Sequence, residues 1–354
     1  MKIAILGDLH IGVKNSNDSM MFHQRRFFEF FFDYLEKNGI TTVFQLGDMF
    51  DQRRQINLKA LRFAQDVIFD KISEKNLDFH TLVGNHDIYY RETLDIDSGG
   101  LLLKPYKNIH VHKSPETVEL YGKTFDFIPW ICESNRDECL TYIKNSKSNY
   151  CFGHFEINGF LMMGIEMTTG LSQNLFANYE SVFSGHFHNK SRKNNILYTG
   201  TPYELNWGDA MDKKGFYVLD VDTGETEFIE TPYKAYFYVR YDEVNHYYTD
   251  VQKLDLENTF VKVIVKSKIE PFRYEMFLKA IGDKKPFEVR IIDENVMELT
   301  EDSESGNINI SDITELIKSY IRSQEGIDDD SKEKLCAFMM GLYTESIQQK
   351  TKGE

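Results

Sequence analysis

The chain has 354 residues, which is enough for about two domains at roughly 150 residues per domain. Its 27 Phe and 20 Tyr residues argue against wholesale disorder, and its four cysteines lack the CxxC spacing of a zinc knuckle. The net charge of -15 argues against a simple nucleic-acid binder, but residues 293–330 alone hold 12 acidic and two basic side chains, so charge neither requires nor excludes DNA.

Strand and helix patterns alternate through the first two thirds of the chain. Buried strands are predicted at residues 3–6, 43–46 and 79–83. Helices are predicted at residues 20–37, at residues 58–72 after an Asn57 cap, and from a Ser134 cap. Further strands are predicted at residues 109–112, 117–121, 124–128, 181–184, 196–198, 216–221 and 226–229. This order predicts an α/β fold in which helices pack on central sheets.

The pattern changes after Pro232. Three strands and one helix are predicted there, at residues 236–241, 260–266, 287–292 and 272–281. They indicate a small α+β domain that caps the first one.

Four parts are therefore predicted: a first domain at residues 1–232, the cap at 233–295, an acidic linker at 296–310 and two amphipathic helices within 311–350. The apolar faces of these last helices either fold back on the main body or dock into a partner protein.

Five apolar runs end in glycine and are followed at once by a residue that can bind metal. They are Gly7-Asp8-Leu9-His10, Gly47-Asp48, Gly84-Asn85-His86-Asp87, Gly153-His154 and Gly185-His186-Phe187-His188. Glycine lets the chain turn sharply after a strand and leaves room for a ligand. We therefore expect these side chains on loops that converge at one rim, where Asp, Asn and His together suit a divalent transition metal.

The spacing of these residues predicts how they would share ions. Asp8 and His10 stand two residues apart, so both point to one side if the segment is extended. Asp48 has two carboxylate oxygens and can bridge two ions, whereas Asn85 offers a carbonyl oxygen without charge. Three further histidines complete two coordination shells: His154, His186 and His188.

In these five motifs and their order, the sequence resembles the calcineurin-like metallophosphoesterases, whose signatures are D-x-H, G-D, G-N-H-D/E, G-H and G-H-x-H. The resemblance implies a β-sandwich flanked by helices, with two metal ions roughly 4 Å apart. One ion would be held by Asp8, His10, Asp48 and His188. The other would be held by Asp48, Asn85, His154 and His186. His86 would stabilise or protonate the leaving oxygen, with Asp87 orienting it.

Within that superfamily the chain is similar to the SbcD-type subunit of the double-strand-break repair nuclease, particularly to recombination endonuclease subunits of tailed phages. Segments that carry this similarity include Gly47-Asp48-Met49-Phe50-Asp51, Ile128-Pro129-Trp130 and Tyr198-Thr199-Gly200-Thr201-Pro202. Many cellular members carry His three residues after the second-motif Asp, where this chain has Asp51. The DNA-positioning role of that His is therefore in doubt here.

The resemblance implies manganese-dependent exonuclease and endonuclease cleavage of DNA, at duplex ends, hairpins or single strands, with magnesium as the alternative ion. The last two helices would bind an SbcC-like coiled-coil ATPase, and the first domain would form a homodimer through its early helices. We expect a cytoplasmic protein, in the host cell if phage-encoded, because neither a signal sequence nor a membrane-spanning stretch is visible.

Two other functions stay open. A phosphatase of the same fold would share every metal ligand but act on monoesters, and a non-catalytic scaffold would usually lack ligands or the histidine at position 86. Arg53 and Arg54 either contact a nucleic-acid backbone or are solvated charges, while Gln45 and Thr199 are predicted to be structural. Histidines without a preceding Gly turn are assigned no role: His23, His80, His110, His112 and His246.

Overall fold

The computed structural model describes residues 1–162 and 165–294, together with residues 332, 333 and 335. Contacts group Met1–Asp293 into one compact unit and Glu294–Glu354 into another. The predicted linker lies outside the described residues, and so do the two predicted terminal helices apart from those three positions. Among the described residues, every helix is too short or too polar to cross a bilayer.

The strands in chain order are β1 Lys2–Leu6, β2 Thr42–Gln45, β3 Asp78–Leu82, β4 Ile109–His112, β5 Glu116–Leu120, β6 Lys123–Ile128, β7 Tyr150–His154, β8 Leu161–Met162, β9 Ile165–Glu166, β10 Ser181–Gly185, β11 Ser191–Lys193, β12 Ile196–Tyr198, β13 Gly215–Asp220, β14 Thr226–Glu230, β15 Tyr236–Asp242, β16 Tyr247–Tyr248, β17 Phe260–Ser267 and β18 Glu288–Asp293. The α-helices are α1 Val13–Ser16, α2 Asp18–Asn38, α3 Leu58–Ala64, α4 Asp70–Glu74, α5 Ser98–Leu102, α6 Arg136–Asn145 and α7 Pro271–Gly282.

The early helices begin and end close to where the sequence predicts. At α2, the Asn17 side chain accepts hydrogen bonds from two backbone amides, and Gly39 ends the helix with a left-handed φ of 63°. Asn57 caps α3 as predicted, and a π-helical turn at Gln65–Phe69 joins α3 to α4 in one continuous run.

The start of α6 differs from the prediction. A 3-10 turn at Glu133–Asn135, capped at Cys132, precedes the helix, and Asn135 rather than Ser134 stands at the cap position of α6. The reason is that the Asn135 side chain reaches back to accept from the Cys132 backbone N–H at 2.9 Å. Polar side chains near a helix start compete for such bonds, so sequence alone places the cap only to within a residue or two.

Two six-stranded sheets form the main body and pack face to face as a sandwich. The first has the order β14-β13-β1-β2-β3-β4 and the second the order β11-β12-β10-β7-β6-β5. Along β1, Ile3 and Ile5 face the core between the sheets, whereas Ala4 and Leu6 face the outer core with α2 and α3. This alternation buries both faces of β1, as expected for a parallel strand with helices outside it. The predicted α/β sandwich flanked by helices is confirmed.

A third sheet lies beyond Thr231, with the strand order β16-β15-β17-β18. β15, β17 and β18 run parallel, and α7 crosses between β17 and β18. Val261 and Val263 on β17 pack in one apolar core with Ile281 of α7. The predicted α+β module is thus present in the fold.

The parallel strands of both sheets end at one rim of the sandwich. β1, β2, β3 and β4 pair in parallel in the first sheet, and β6, β7, β10 and β12 do so in the second. Three of the five glycine motifs follow a strand at its carboxyl end, whereas Gly153-His154 forms the last two residues of β7 and Gly185 is the last residue of β10. The fold therefore gathers the five motifs in one place.

His23 connects α2 to the loop before β17, and we expect it to make stability depend on pH. Its Nε2 lies 3.1 Å from the carbonyl of Asn258, and its Nδ1 has no partner. Burial, helped by Arg26, lowers the pKa of His23 to about 4. The pKa of His23 in the unfolded chain is about 6.5. The contribution of His23 to the free energy of unfolding is therefore complete above pH 6.5 and is lost as pH falls toward 4.

The substitution His23→Gln keeps a donor and removes the titration. It should reduce the acid-induced loss of unfolding free energy between pH 7 and pH 4 by about 3 kcal/mol, measured by urea denaturation. His246→Gln, at an exposed histidine, is the control. Equal slopes in the two variants would contradict the prediction.

Candidate metal centre

All seven predicted ligands lie at the shared rim of the two sheets. Five of them are buried, with at most 7% of each side chain exposed: Asp8, His10, Asp48, Asn85 and His154. His186 and His188 follow β10 and are partly exposed, which leaves the group open to solvent on their side. Donors from strands of both sheets thus meet in one depression.

The first predicted ligand group is brought together by facing imidazole rings. The Nε2 atoms of His10 and His188 lie only 3.1 Å apart. Asp8 Oδ2 lies 4.0 Å from the His10 nitrogen and 3.9 Å from the His188 nitrogen. Asp48 Oδ2 is 3.8 Å from His10 Nε2. Metal–ligand bonds of about 2.1 Å place neighbouring ligands about 3 to 3.5 Å apart, so this group fits one ion after small adjustments.

The second predicted group centres on the amide oxygen of Asn85. That oxygen lies 2.8 Å from His154 Nε2 and 3.0 Å from His186 Nδ1. Asp48 Oδ2 is 3.4 Å from His154 Nε2. The same oxygen of Asp48 therefore faces a histidine of each group, which is the position that a bridging carboxylate needs.

Hydrogen bonds outside the group set the protonation of one key ring. His154 Nδ1 donates to the carbonyl of Leu46 at 2.7 Å. In the neutral ring, Nε2 is then unprotonated and faces Asp48 and Asn85. A metal-ligating histidine commonly donates its other nitrogen to a carbonyl in this way.

The electrostatics of the depression favour a cation. Burial, opposed by His154 and reinforced by Asp48, raises the pKa of Asp8 to about 6. Burial alone would lower the pKa of His154, but the carboxylates of Asp48 and Asp8 outweigh it and raise the value to about 9. The ionised carboxylates of Asp8 and Asp48 thus draw positive charge to this rim, and a divalent ion would supply it.

Two of the four ligand histidines, His186 and His188, stay neutral at physiological pH. Burial, helped by the neighbouring His154, lowers the pKa of His186 to about 3. Burial and the neighbouring His10 lower the pKa of His188 to about 4. Neutral imidazoles are the form that binds metal, so the donor set suits a divalent transition ion.

The backbone at the ligands differs from the extended form that the spacing suggested. His10, Asp48 and His186 all have left-handed φ angles, of 43°, 52° and 83°. At His10 the cause is a contact between two loops: the amides of Leu9 and His10 both donate to the carbonyl of Asp48 at 3.0 Å, which curls the loop after β1 onto the loop after β2. Such conformations cost of order 1–3 kcal/mol each and are concentrated at functional sites.

His86 stands beside the first group, but Asp87 does not contact its ring. The His86 Nδ1 lies 2.6 Å from the Asp51 carbonyl, and its ring centre is 4.8 Å from that of His10. The Asp87 carboxylate instead accepts from the amides of Asp48, Met49 and Gly84 and from the Ser98 hydroxyl. The Asp51 carbonyl therefore holds the His86 ring, while Asp87 fastens the loops after β2 and β3 together.

A family comparison agrees with this architecture. Residues 1–222 match the model of the calcineurin-like phosphoesterases. The chain belongs to that family. It is also 33% identical to exonuclease subunit 1 of Enterobacteria phage T4, over 98% of this chain and 100% of the relative.

Two weaker similarities are also found. The DNA double-strand break repair protein Mre11 of Nanoarchaeum equitans is 24% identical over 49% of this chain and 53% of its own length. A solved archaeal phosphodiesterase aligns with 65% of this chain and 100% of its own at 13% identity and a TM-score of 0.35, a likeness too weak to carry an argument.

Sequence reasoning missed several residues of this phosphoesterase that support the ligands. Asp51 Oδ1 lies 3.5 Å from His10 Nδ1, and the Trp130 ring lies 5.1 Å from that of His186. Buried Lys214 donates to the His188 carbonyl at 2.8 Å and pairs with Asp209 at 2.7 Å. Asp51 and Trp130 had a usable signal, because both fall inside segments that carry the family resemblance; Asp209 and Lys214 come from a distant segment that meets the site through the fold.

We expect Gly185→Ala to disrupt the phosphoesterase site without unfolding the chain. A Cβ atom at residue 185 would lie 2.5 Å from Asp8 Oδ1 and 2.7 Å from the Leu46 carbonyl, so Asp8 must move. Metal-dependent phosphoesterase activity should fall by about 10-fold or more, by analogy with the loss of groups that orient ligands. At Gly282 an added Cβ meets nothing within 4 Å, so Gly282→Ala is the control. Equal activity of the two variants would refute the prediction.

Proposed function

We propose that the chain is a divalent-metal-dependent nuclease that hydrolyses DNA phosphodiester bonds with a two-metal site. The observation that carries this proposal is the 33% identity to a phage exonuclease subunit over 98% of the chain. A relative named for double-strand break repair supports it, and so does the convergence of seven oxygen and nitrogen donors at one rim.

The proposed ligand sets share Asp48. One consists of Asp8, His10, Asp48 and His188. The other consists of Asp48, Asn85, His154 and His186. Mixed carboxylate, amide and imidazole donors suit manganese, with magnesium as the alternative ion. When bound, divalent ions supply Lewis-acid polarisation of the phosphate and activation of the attacking water.

His86 is the proposed general acid. Its Nδ1 is held by the Asp51 carbonyl at 2.6 Å, so Nε2 is the nitrogen free to act. Its backbone N–H donates to Asp48 Oδ1 at 2.7 Å, which fixes the ring beside the ligands. In the protonated ring, Nε2–H would donate to a phosphate oxygen and then pass its proton to the leaving oxygen. Asp87 would contribute indirectly, by fastening the two loops that carry Asp48 and His86.

The rim around His86 has the chemistry of a nucleic-acid contact. Burial lowers the pKa of Arg53, and the positive charge of Arg91 lowers it further. Arg54 and Asp48 are also close enough for their charges to affect this pKa. The exposed Tyr89 lies under the Arg54 guanidinium, 5.9 Å from it. Clustered cations with an aromatic ring bind phosphates and stack on bases, whereas a small monoester would need neither.

A complex with an ATPase completes the proposal. The segment 311–350 would bind an SbcC-like coiled-coil ATPase, since the phage relative is named as a subunit and matches this chain over almost its full length. The phosphoesterase domain at residues 1–232, with its cap at 233–295, would form a homodimer through α2 and α3. Exposed Leu58 at the start of α3 is an apolar contact available for such a dimer. The complex would act in the cytoplasm of the host cell if, like its relative, the chain is phage-encoded.

The direct test is digestion of linear duplex, hairpin and single-stranded DNA by the purified chain with Mn²⁺, with and without the ATPase. A nitrophenyl phosphate monoester is assayed in parallel. Release of nucleotides from DNA that stops when a chelator is added supports the proposal. Turnover of the monoester without cleavage of any DNA would show that the protein is a phosphatase instead of a nuclease. Turnover of neither substrate would favour a non-catalytic scaffold.

The arginine cluster gives a prediction that separates binding from chemistry. Arg54→Ala and Arg91→Ala should each weaken DNA binding and reduce the slope of log K against log salt by about one. Hydrolysis of a nitrophenyl phosphodiester should stay within about 2-fold, because these side chains are not ligands. Arg62→Ala, an exposed residue of α3 paired with Asp66, is the control for lost charge. Unchanged salt slopes in the cluster variants would contradict DNA contact here.

A further inference from the structure

A second group of metal-ligating side chains lies between β3 and β4, away from the candidate metal centre. Asp78 and His80 stand two residues apart on β3, and His110 and His112 stand two apart on β4. The strand register pairs His80 with His110. Because alternate residues of a strand point the same way, all four side chains lie on one face of the sheet.

Three of these residues have the spacing of ligands around one ion. His110 Nε2 lies 3.0 Å from Asp78 Oδ1, and His80 Nε2 lies 3.4 Å from Asp78 Oδ2. One donor atom from each of the three lies within 4.8 Å of the others. Bonds of about 2.0 to 2.1 Å in a tetrahedral site place ligands about 3.3 Å apart, so small side-chain movements suffice.

A chain of hydrogen bonds leaves one nitrogen of His80 free. Glu116 Oε1 lies 2.7 Å from His112 Nδ1, and His112 Nε2 lies 2.9 Å from His80 Nδ1. An ionised carboxylate can only accept, so His112 Nδ1 donates to Glu116. In the neutral ring, His112 Nε2 then accepts from His80 Nδ1–H.

The consequence is an unpaired lone pair on His80 Nε2, facing Asp78 and His110. This side chain is only 4% exposed, and its Nε2 has no hydrogen-bond partner. A buried ring nitrogen without a partner is costly, and a metal ion is one way to satisfy it. Carboxylate-to-histidine chains of this kind fix the tautomer and orientation of metal-ligating imidazoles.

We propose that Asp78, His80 and His110 bind one zinc-class divalent transition ion at a site separate from the candidate metal centre. Two imidazole nitrogens and one carboxylate oxygen favour zinc over magnesium or calcium, with water completing the shell. The ion enters from solvent, because His110 and Asp78 are 48% and 40% exposed. It joins β4, the edge strand of the first sheet, to β3.

The separation from the metal centre follows from the strand direction. Asp78 begins β3, whereas Asn85 follows the opposite end of that strand. At about 3.3 Å per residue, the four steps of β3 alone span about 13 Å. The two sites share no residue, and the inferred ion stabilises the sheet edge rather than taking part in hydrolysis.

The test compares zinc bound per full-length chain, after equilibration with Zn²⁺ and desalting, in the wild type and in His110→Asn. The Asn oxygen cannot reach the position of His110 Nε2, and the half-exposed site tolerates the change. His246→Asn is the matched control, at an exposed histidine outside both groups. Asp78→Asn is a second variant that removes another donor.

We expect His110→Asn and Asp78→Asn each to bind one zinc fewer than the wild type, and His246→Asn to bind the same amount. At zinc concentrations 100-fold above the dissociation constant, the wild-type Tm should rise by about 5 °C more than that of the two site variants. Equal zinc content in all four proteins overturns the proposal. Loss of Mn²⁺-dependent hydrolysis together with the zinc overturns the separation of the two sites.

Discussion

Asp48→Asn should lower metal-dependent hydrolysis of DNA by about 10³-fold or more and reduce the Mn²⁺ bound at the centre. Asp48 Oδ2 faces His10 at 3.8 Å and His154 at 3.4 Å, so one substitution weakens both ligand groups. Losing groups that only orient ligands costs 10- to 100-fold, and a shared direct ligand should cost more. The measurements are turnover of linear duplex DNA and bound metal by elemental analysis.

The fold should survive this substitution. Asn has the shape of Asp and is one of the few residues that tolerates the left-handed φ of 52° at this position. The control is Asp66→Asn. The Asp66 carboxylate lies in the π-helical turn between α3 and α4 and pairs with Arg62 at 2.9 Å. It should retain full activity and metal content. If Asp48→Asn binds Mn²⁺ as tightly as the control, Asp48 is not the shared ligand.

His86→Gln should lower kcat on DNA by about 10²- to 10⁴-fold while KM and bound metal stay nearly constant. The reason is that the ring lies beside the first ligand group, with its centre 4.8 Å from that of His10, and is held through Nδ1 by the Asp51 carbonyl. The loss should be much smaller on bis(nitrophenyl) phosphate, because its acidic leaving group departs without a proton. The measurement is kcat for both substrates at saturating Mn²⁺.

His246→Gln is the matched control and should change neither kcat. An equal loss on the two substrates would argue that His86 positions the phosphate rather than protonating the leaving oxygen. An unchanged kcat on DNA, with metal intact, would remove His86 from the mechanism.

The sequence was informative about the site because its signals are local. Each donor stands within three residues of a glycine at a strand end, and parallel strands bring such ends to one rim whatever the exact packing. The same reasoning covers β1, whose alternating Ile3, Ala4, Ile5 and Leu6 divide between the two cores. Strand positions and candidate donors were therefore predictable together.

Features that depend on contacts between distant segments were not predictable. The left-handed backbone at His10 exists because the Asp48 carbonyl accepts two amides from the loop after β1. The family resemblance assigned Asp87 to orient His86, and only the fold shows that its carboxylate bonds to amides 38 and 39 residues away as well as to Gly84. His80 was assigned no role because it lacks a preceding Gly turn, and the strand register that brings it opposite His110 is a property of the folded chain.

The central proposal is that oxygen and nitrogen donors from separate strand ends form one binding site for two cations. It is tested most directly by the anomalous scattering of Mn²⁺ in crystals of the full chain. Two peaks roughly 4 Å apart, both in contact with the Asp48 carboxylate, are the expected result. A single peak, or peaks that Asp48 does not join, would contradict the two-metal account and the hydrolysis built on it.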